Sequence, residues 1–359
     1  MADDIKWQRG KKEEMAMIRV GVIGGSGYTG TELLRLLLTH PAVEITVVTS
    51  RRHKGKKVHD VNTHLRPFAD IEYEDVAVKE IARRCDVVFT AVPHGVSMKY
   101  VPELLENGVR VIDLSADYRL KCEEYERIYG KHEDEAFRRG EREAVYGLTE
   151  IHPEVSSAVL VANPGCYPTG AILAVAPIVH EFDVCCTVID AKSGISGGGS
   201  EPSARSHFPN LAENIIPYDV TTHRHTAEIR QEILRYRDVR VHFTPHVIPT
   251  IRGILTTAHV FIRGHADRED IREAYEHFYA DCKFIRILND VPSLRDVRGT
   301  NFCDIWFDVE EAGGDEVRAV VISAIDNLVK GGAGQAIQNM NLMFKMPEEE
   351  GLWFPGIVP

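Results

Sequence analysis

The first 115 residues repeat one pattern: a short apolar run rich in β-branched residues, a turn, then apolar positions at helical spacing. "IRVGVI" (18–23), "EITVVTS" (44–50), "CDVVFTAVP" (85–93) and "VRVIDLS" (109–115) read as strands, with "TELLRLLLTH" (31–40) and "GVSMKYVPELLENG" (95–108) as helical stretches between them. Such alternation predicts a parallel, doubly wound sheet with ligands at the carboxyl ends of its strands. Residues 121–143 are charged and lack a clean period, which predicts a surface excursion. Beyond residue 166 the apolar runs lengthen and fewer helices separate them: "CCTVIDAKSG" (185–194), "RVHFTPHVIPTIRGILTTAHVFIRG" (240–264), "FCDIWFDVE" (302–310) and "VRAVVISAID" (317–326). That change predicts an α+β second domain on a mixed or mostly antiparallel sheet.

Composition narrows the function classes. A chain of 359 residues, 44% of them hydrophobic, suits two domains at roughly 100–200 residues each. The net charge of −12 and the absence of a basic block beyond "RRHKGKK" (51–57) argue against nucleic acid and anionic membranes as partners. No apolar run approaches the ~18 residues of a membrane span, and "MADDIKWQRGKKEEMAM" is too charged for a secretory signal, so a cytoplasmic location is expected. Seven cysteines without a C-x-x-C pair suggest neither a disulfide framework nor a zinc ribbon.

"GGSGYTG" (24–30) joins the first strand to its helix, spacing Gly24, Gly27 and Gly30 as G-x-x-G-x-x-G. Glycines there let backbone approach a diphosphate, and the N–H groups of the helix start point at it. Where NAD-specific sites place an acid after the second strand, this chain has Ser50, Arg51 and Arg52. A hydroxyl and two cations suit a 2′-phosphate, which predicts NADP(H).

"NPGCYPTGAILAVAPIVH" places Cys166 one or two residues before an expected helix and behind an Asn163-Pro164-Gly165 turn. A helix N-terminus stabilises a thiolate, and the tight turn favours an exposed nucleophile over a packed structural cysteine. "TTHRHTAEI" supplies a proton acceptor: with Thr226 as expected N-cap, His225 sits just before a helix and stays neutral. His-x-His also permits a metal, but no third ligand is evident nearby, so none is expected. The loop "SGISGGGS" (193–200) suits close backbone approach to substrate or nicotinamide, and Lys330-Gly331-Gly332-Ala333-Gly334 forms a second glycine loop before a packing helix.

Together, "GGSGYTG", "TSR", "DLSADYRL", "NPGCYPTG", "KSGISGGG", "HRHTAEI" and "NLVKGGAGQA" make residues 17 to the C-terminus resemble the N-acetyl-gamma-glutamyl-phosphate reductases of arginine biosynthesis, relatives of aspartate-semialdehyde dehydrogenase. Residues 1–16 fall outside the family pattern, and Ala227 stands where the motif often has proline. The resemblance implies a Rossmann-type nucleotide domain (17–163 and 327–359) and a catalytic and oligomerisation domain (164–326) in a homodimer or homotetramer. It implies that Cys166 forms a thioester with an acyl phosphate and that His225 is its acid/base partner. Gly24, Ser26, Gly27, Tyr28, Thr29, Gly30, Ser50, Arg51, Arg52 and Gly197 would face NADP(H). Ser115, Arg119, Asn163 and Ser193 would face substrate, with Arg119 gripping phosphate or carboxylate; a structural pairing of Arg119 with Asp117 is the alternative. Rival functions are reduction of a carrier-protein-linked acyl phosphate, for which "EPSARSHFPNLAENII" (201–216) offers little basic surface, and an NADP-binding redox sensor, which has no use for His225.

Overall fold

The computed structural model describes residues 17–313 and 315–358. Seven strands form the first sheet: β1 (Ile18–Ile23), β2 (Val43–Thr49), β3 (Tyr73–Glu74), β4 (Val87–Thr90), β5 (Arg110–Asp113), β6 (Val145–Tyr146) and β7 (Leu160–Ala162). Their order is β3-β2-β1-β4-β5-β7-β6 and every pairing is parallel, the doubly wound arrangement expected from the alternation. The order turns at β1, so the glycine loop after it opens at the switch point where such sheets take ligands.

The second sheet runs β12-β13-β14-β11-β8-β10-β9. Its strands are β8 (Val184–Gly194), β9 (Ile216–Pro217), β10 (Arg240–Ile248), β11 (Ile254–Arg263), β12 (Ile285–Ile287), β13 (Cys303–Gly313) and β14 (Glu316–Ile325). The sheet is mixed: β8 pairs β10 in parallel but β11 antiparallel. The long run at 240–264 is therefore two strands separated by β8, a division that Gly253 marks with φ +106°.

The helix Cys166–Glu181 packs on this sheet and is buried all round from Tyr167 to Val179, as a helix apolar on every face must be. Pro177 lies inside it and brings no N–H for the carbonyl of Leu173. The Tyr279 hydroxyl donates to that carbonyl at 2.8 Å, so the proline is tolerated. Closer to the N-terminus, the Ser323 hydroxyl on β14 donates to Gly170 O at 2.9 Å, anchoring the start of the helix to the sheet.

The excursion at 121–143 contains the helices Cys122–Tyr129 and Glu135–Arg138 and packs its aromatics into a core shared with the first sheet. Tyr118, Tyr125, His132 and Phe137 pack edge to face or stacked at 4.7–5.3 Å between ring centres. Sparse aromatics among charges hid this from periodicity. At the other end, Ile337, Met340 and Met343 of the helix Gly334–Met343 join a core with Val20, Leu33 and Phe89, so the chain returns to its first sheet. Among the described residues no helix is long and apolar enough to cross a membrane.

Candidate active site

Cys166 is the first residue of its helix, and Gly165, with extended backbone, is the N-cap. The helix thus begins at the cysteine itself, slightly earlier than expected, and the half-buried thiol stands over free N–H groups. His225 likewise opens its helix, His225–Ile233, with Arg224 rather than Thr226 at the cap. The cause is local: the His225 N–H donates to Nδ1 of His223 at 3.2 Å, so the preceding imidazole takes the capping role.

Gly165 joins the two elements. A Cβ built on it would lie 2.7 Å from Nε2 of His225 and 3.1 Å from Nη1 of Arg119, so only glycine lets the imidazole close on the turn. From the opposite side, a Cβ on Gly331 would come within 2.9 Å of Cβ of Cys166. The residues from Val329 to Ala333 form a buried π-helical turn running into the last helix, instead of the open loop the glycines suggested. Lys330 is wholly buried in it, 2.5 Å from Glu150 and 2.8 Å from Gln338.

Electrostatics define the resting state of the pair. Burial holds the His225 imidazole well below its ordinary value, helped by His223, Arg119 and Arg224, and His223 is likewise pushed down to about 4. Both are neutral near pH 7. The expectation of a depressed thiol is corrected: burial pushes Cys166 up, outweighing Arg119, the Tyr167 N–H and Arg224, which pull it down. At rest Cys166 is a thiol and His225 a neutral imidazole closed against the Gly165 turn that precedes it, and a neutral imidazole has a free nitrogen able to accept a proton.

Glu228, in the first turn of the His225 helix, organises the wall. Its Oε1 accepts from Arg119 Nη1 at 3.1 Å, and its Oε2 from the Gly165 N–H at 3.0 Å and the Tyr146 hydroxyl at 3.1 Å. Three residues beyond His225, it lies 3.8 Å from Nε2 on the same helix face. Arg119 therefore pairs with Glu228 instead of Asp117, whose carboxylate accepts from Gly95, Ser97 and Tyr125. Its other donors reach Asn163 O at 2.7 Å and Leu114 O at 2.8 Å. It lines the site with its charge already compensated.

The remaining substrate-side candidates are engaged internally. Ser115 is buried, donating to Asp113 at 2.7 Å and meeting Ser97 at 3.0 Å. Asn163 donates to Gly332 O at 3.2 Å and accepts from Asn339 at 3.0 Å, tying the catalytic turn to the last helix. Ser193 is buried and donates to Gly194 O, and Gly197 packs beside it. A cavity of about 1440 Å³ opens next to this wall, lined by Arg119, Tyr146, His223 and Arg224, while Cys166 and His225 lie outside its lining.

The nucleotide candidates gather at the ends of β1 and β2. Gly24 has φ +86° and leaves room for Ala91 O, 2.4 Å from where a Cβ would sit; Gly30 likewise packs on Gly24 O. Gly27 caps the helix Tyr28–Leu37, and a Cβ there would meet nothing within 4 Å. Tyr28 is exposed, and Thr29 sits beside Gly332. The Ser26 and Ser50 hydroxyls are 2.9 Å apart. Arg51 is exposed and donates to the Tyr100 hydroxyl at 3.3 Å, whereas Arg52 pairs at 3.2 Å with Glu201, just past the glycine-rich loop 193–200. An open helix start with a hydroxyl pair and arginines at the neighbouring strand end fits a phosphorylated dinucleotide.

Residues 19–158 match the model of the semialdehyde dehydrogenase NAD binding domain, and residues 166–327 that of the semialdehyde dehydrogenase dimerisation domain. The N-acetyl-gamma-glutamyl-phosphate reductase of Methanothrix thermoacetophila is 57% identical over 350 residues, covering 96% of this chain and all of the relative. The chain belongs to the N-acetyl-gamma-glutamyl-phosphate reductase family. A second relative of that name, from Methanocella arvoryzae, is 55% identical with the same coverage. The fold extends beyond these reductases: aspartate semialdehyde dehydrogenase II from Vibrio cholerae superposes with a TM-score of 0.70 at 18% identity, over 92% of this chain and 99% of the other.

Proposed function

We propose that this protein reduces N-acetylglutamyl 5-phosphate to N-acetylglutamate 5-semialdehyde and phosphate, using NADPH, with Cys166 as nucleophile and His225 as acid and base. The observation that carries the reading is a neutral buried imidazole closed against Gly165, the residue that caps the helix opening at Cys166 and that permits no side chain there, in a chain so similar to named reductases. His225 takes the thiol proton as Sγ attacks the acyl carbon. The S–C bond forms, the C–O bond to phosphate breaks, and phosphate leaves with the bonding pair. The Cys166 N–H, at the first helical position, faces the developing oxyanion. When bound, the dinucleotide supplies the hydride that the thioester carbonyl needs. Expulsion of Sγ then yields the aldehyde, and His225 returns its proton to the sulfur.

Gly24 to Gly30 and Ser50 to Arg52 would hold the diphosphate and 2′-phosphate. Gly197 would approach the nicotinamide side, and Ser115, Asn163 and Ser193 would shape the substrate wall from behind. The nucleotide body would comprise 17–163 and 327–359 and the catalytic body 164–326, assembled as a dimer or tetramer in the cytoplasm. Neither a carrier-linked substrate nor a sensor role gains support from these residues. The direct test runs the reaction backwards: free N-acetylglutamate semialdehyde should reduce NADP only when phosphate is present, and mass spectrometry of enzyme with acyl phosphate but no NADPH should find the acyl group on the Cys166 peptide. A Cys166→Ser variant with near-normal turnover would refute covalent catalysis.

A further inference from the structure

The acyl phosphate of the proposed reaction is an anion at both ends, yet the buried cation of the site, Arg119, is compensated by Glu228 before any ligand arrives. Arg224 is not. Among the described residues it has no carboxylate partner, and its guanidinium carbon lies 5.9 Å from the centre of the Tyr129 ring. The same ring stacks on Tyr125 at 4.9 Å and lies tilted to the His94 ring at 5.5 Å between centres. Two buried polar atoms in this corner are unpartnered: the Tyr129 hydroxyl, and Nδ1 of His225, a residue only 7% exposed. The positive charge of Arg224 also lowers the proton affinity of Cys166, His223, His225 and His94, which places it within electrostatic reach of the whole reacting group. An uncompensated guanidinium and an unfilled hydroxyl beside a nucleophile form a receptor for an anion, and a guanidinium matches phosphate or carboxylate with two parallel hydrogen bonds.

We infer that Arg224, with the Tyr129 hydroxyl as a second donor, grips an anionic group of the substrate, either the phosphoryl group of the acyl phosphate or its remote carboxylate. This rests on the acyl-phosphate reading above. Position favours it: Arg224 is the residue immediately before His225, so whatever it holds is set in register with the imidazole. Arg224 also lines the cavity that opens beside Arg119 and Tyr146.

In the reverse reaction the two anions are separate substrates, phosphate and semialdehyde, so their KM values can be read independently. Arg224→Gln should raise one of them by about 10- to 100-fold, the scale of a lost charge-assisted contact, while kcat falls far less. A rise in the phosphate KM assigns the phosphoryl group; a rise in the semialdehyde KM assigns the carboxylate. Tyr129→Phe should raise the same KM by a smaller factor, and Arg224→Lys should recover part of the loss. Both KM values staying within about twofold of the wild type would overturn the inference. So would an equal rise from Arg230→Gln, since Arg230 is also exposed and free of ion pairs among the described residues but lies further along the helix. A wild-type protein that turned over no semialdehyde would count against the proposed function instead. The anion site would then be read by phosphate protection of Cys166 from iodoacetamide, which Arg224→Gln should abolish; equal protection in both proteins would overturn it.

Discussion

At Gly165 a single hydrogen atom stands where any side chain would collide with Nε2 of His225. Gly165→Ala should push the imidazole off the catalytic turn and lower kcat/KM by about 100-fold or more, the cost of misplacing a reacting group by an ångström. NADPH affinity should be unchanged, because the Gly24–Gly30 loop is a separate element. Near-normal kcat/KM would show that the histidine is not held by this contact. The thiol makes a second prediction, with its sign set by burial. Because Cys166 is raised, it is protonated at pH 7, and its alkylation by iodoacetamide should accelerate with pH to a midpoint above the ~8.5 of a free thiol. A midpoint well below that would mean a thiolate–imidazolium pair already exists in the free enzyme. At this scale the sequence carried the turn before Cys166 and the helix starts at Cys166 and His225, because a turn motif and a helix start are local signals. It hid the compensation of Arg119 by Glu228, since 109 residues separate the two partners.

Among the elements, the π-helical turn at Val329–Ala333 has the least obvious support. Its Lys330 is a buried cation fastened to Glu150, Gln338 and the face of Phe284. Lys330→Met should cost about 3–5 kcal/mol in urea unfolding, because it leaves the Glu150 carboxylate buried without its cation. Combining it with Glu150→Met should restore much of that loss, since two apolar side chains avoid desolvating a charge. A double variant as unstable as the single one would show that the ion pair is not what holds the turn. The elements were legible wherever the apolar period was regular, as in β1, β2, β4, β5 and the helix after Cys166, while the two- and three-residue strands β3, β6 and β7 are too short to show a period. Reading failed at 240–264, where continuous apolar alternation conceals a reversal, and at 329–333, where glycines that suggest a loop instead allow close packing against Cys166.

For the molecule as a whole, a charge cluster helps tie the two sheets: Arg252, between β10 and β11, reaches Glu32 on the first helix at 2.6 Å and Asp326 at 3.3 Å. Burial pushes the Glu32 carboxyl up, but hydrogen bonds from Arg252 and Arg35 outweigh it and hold it below the ordinary value. A depressed carboxylate stabilises the fold above its unfolded pKa of ~4.3, and that stabilisation is lost as pH falls through the lower folded value. Wild type should therefore exceed Glu32→Gln in unfolding free energy at neutral pH, and the gap should shrink below about pH 4 as Glu32 protonates. A gap independent of pH would place the effect in packing. The return of the last helix to the first sheet has a consequence in time. During synthesis Cys166 is made about 165 residues before Gly331, roughly 10–30 s at ordinary elongation rates. For that interval the nascent chain has the cysteine without the turn that packs against it, and without the helix that completes the core beneath β1 and β4. A chain released early would carry Cys166 without the turn that packs on it, so the surroundings of this cysteine are completed only when the last helix arrives.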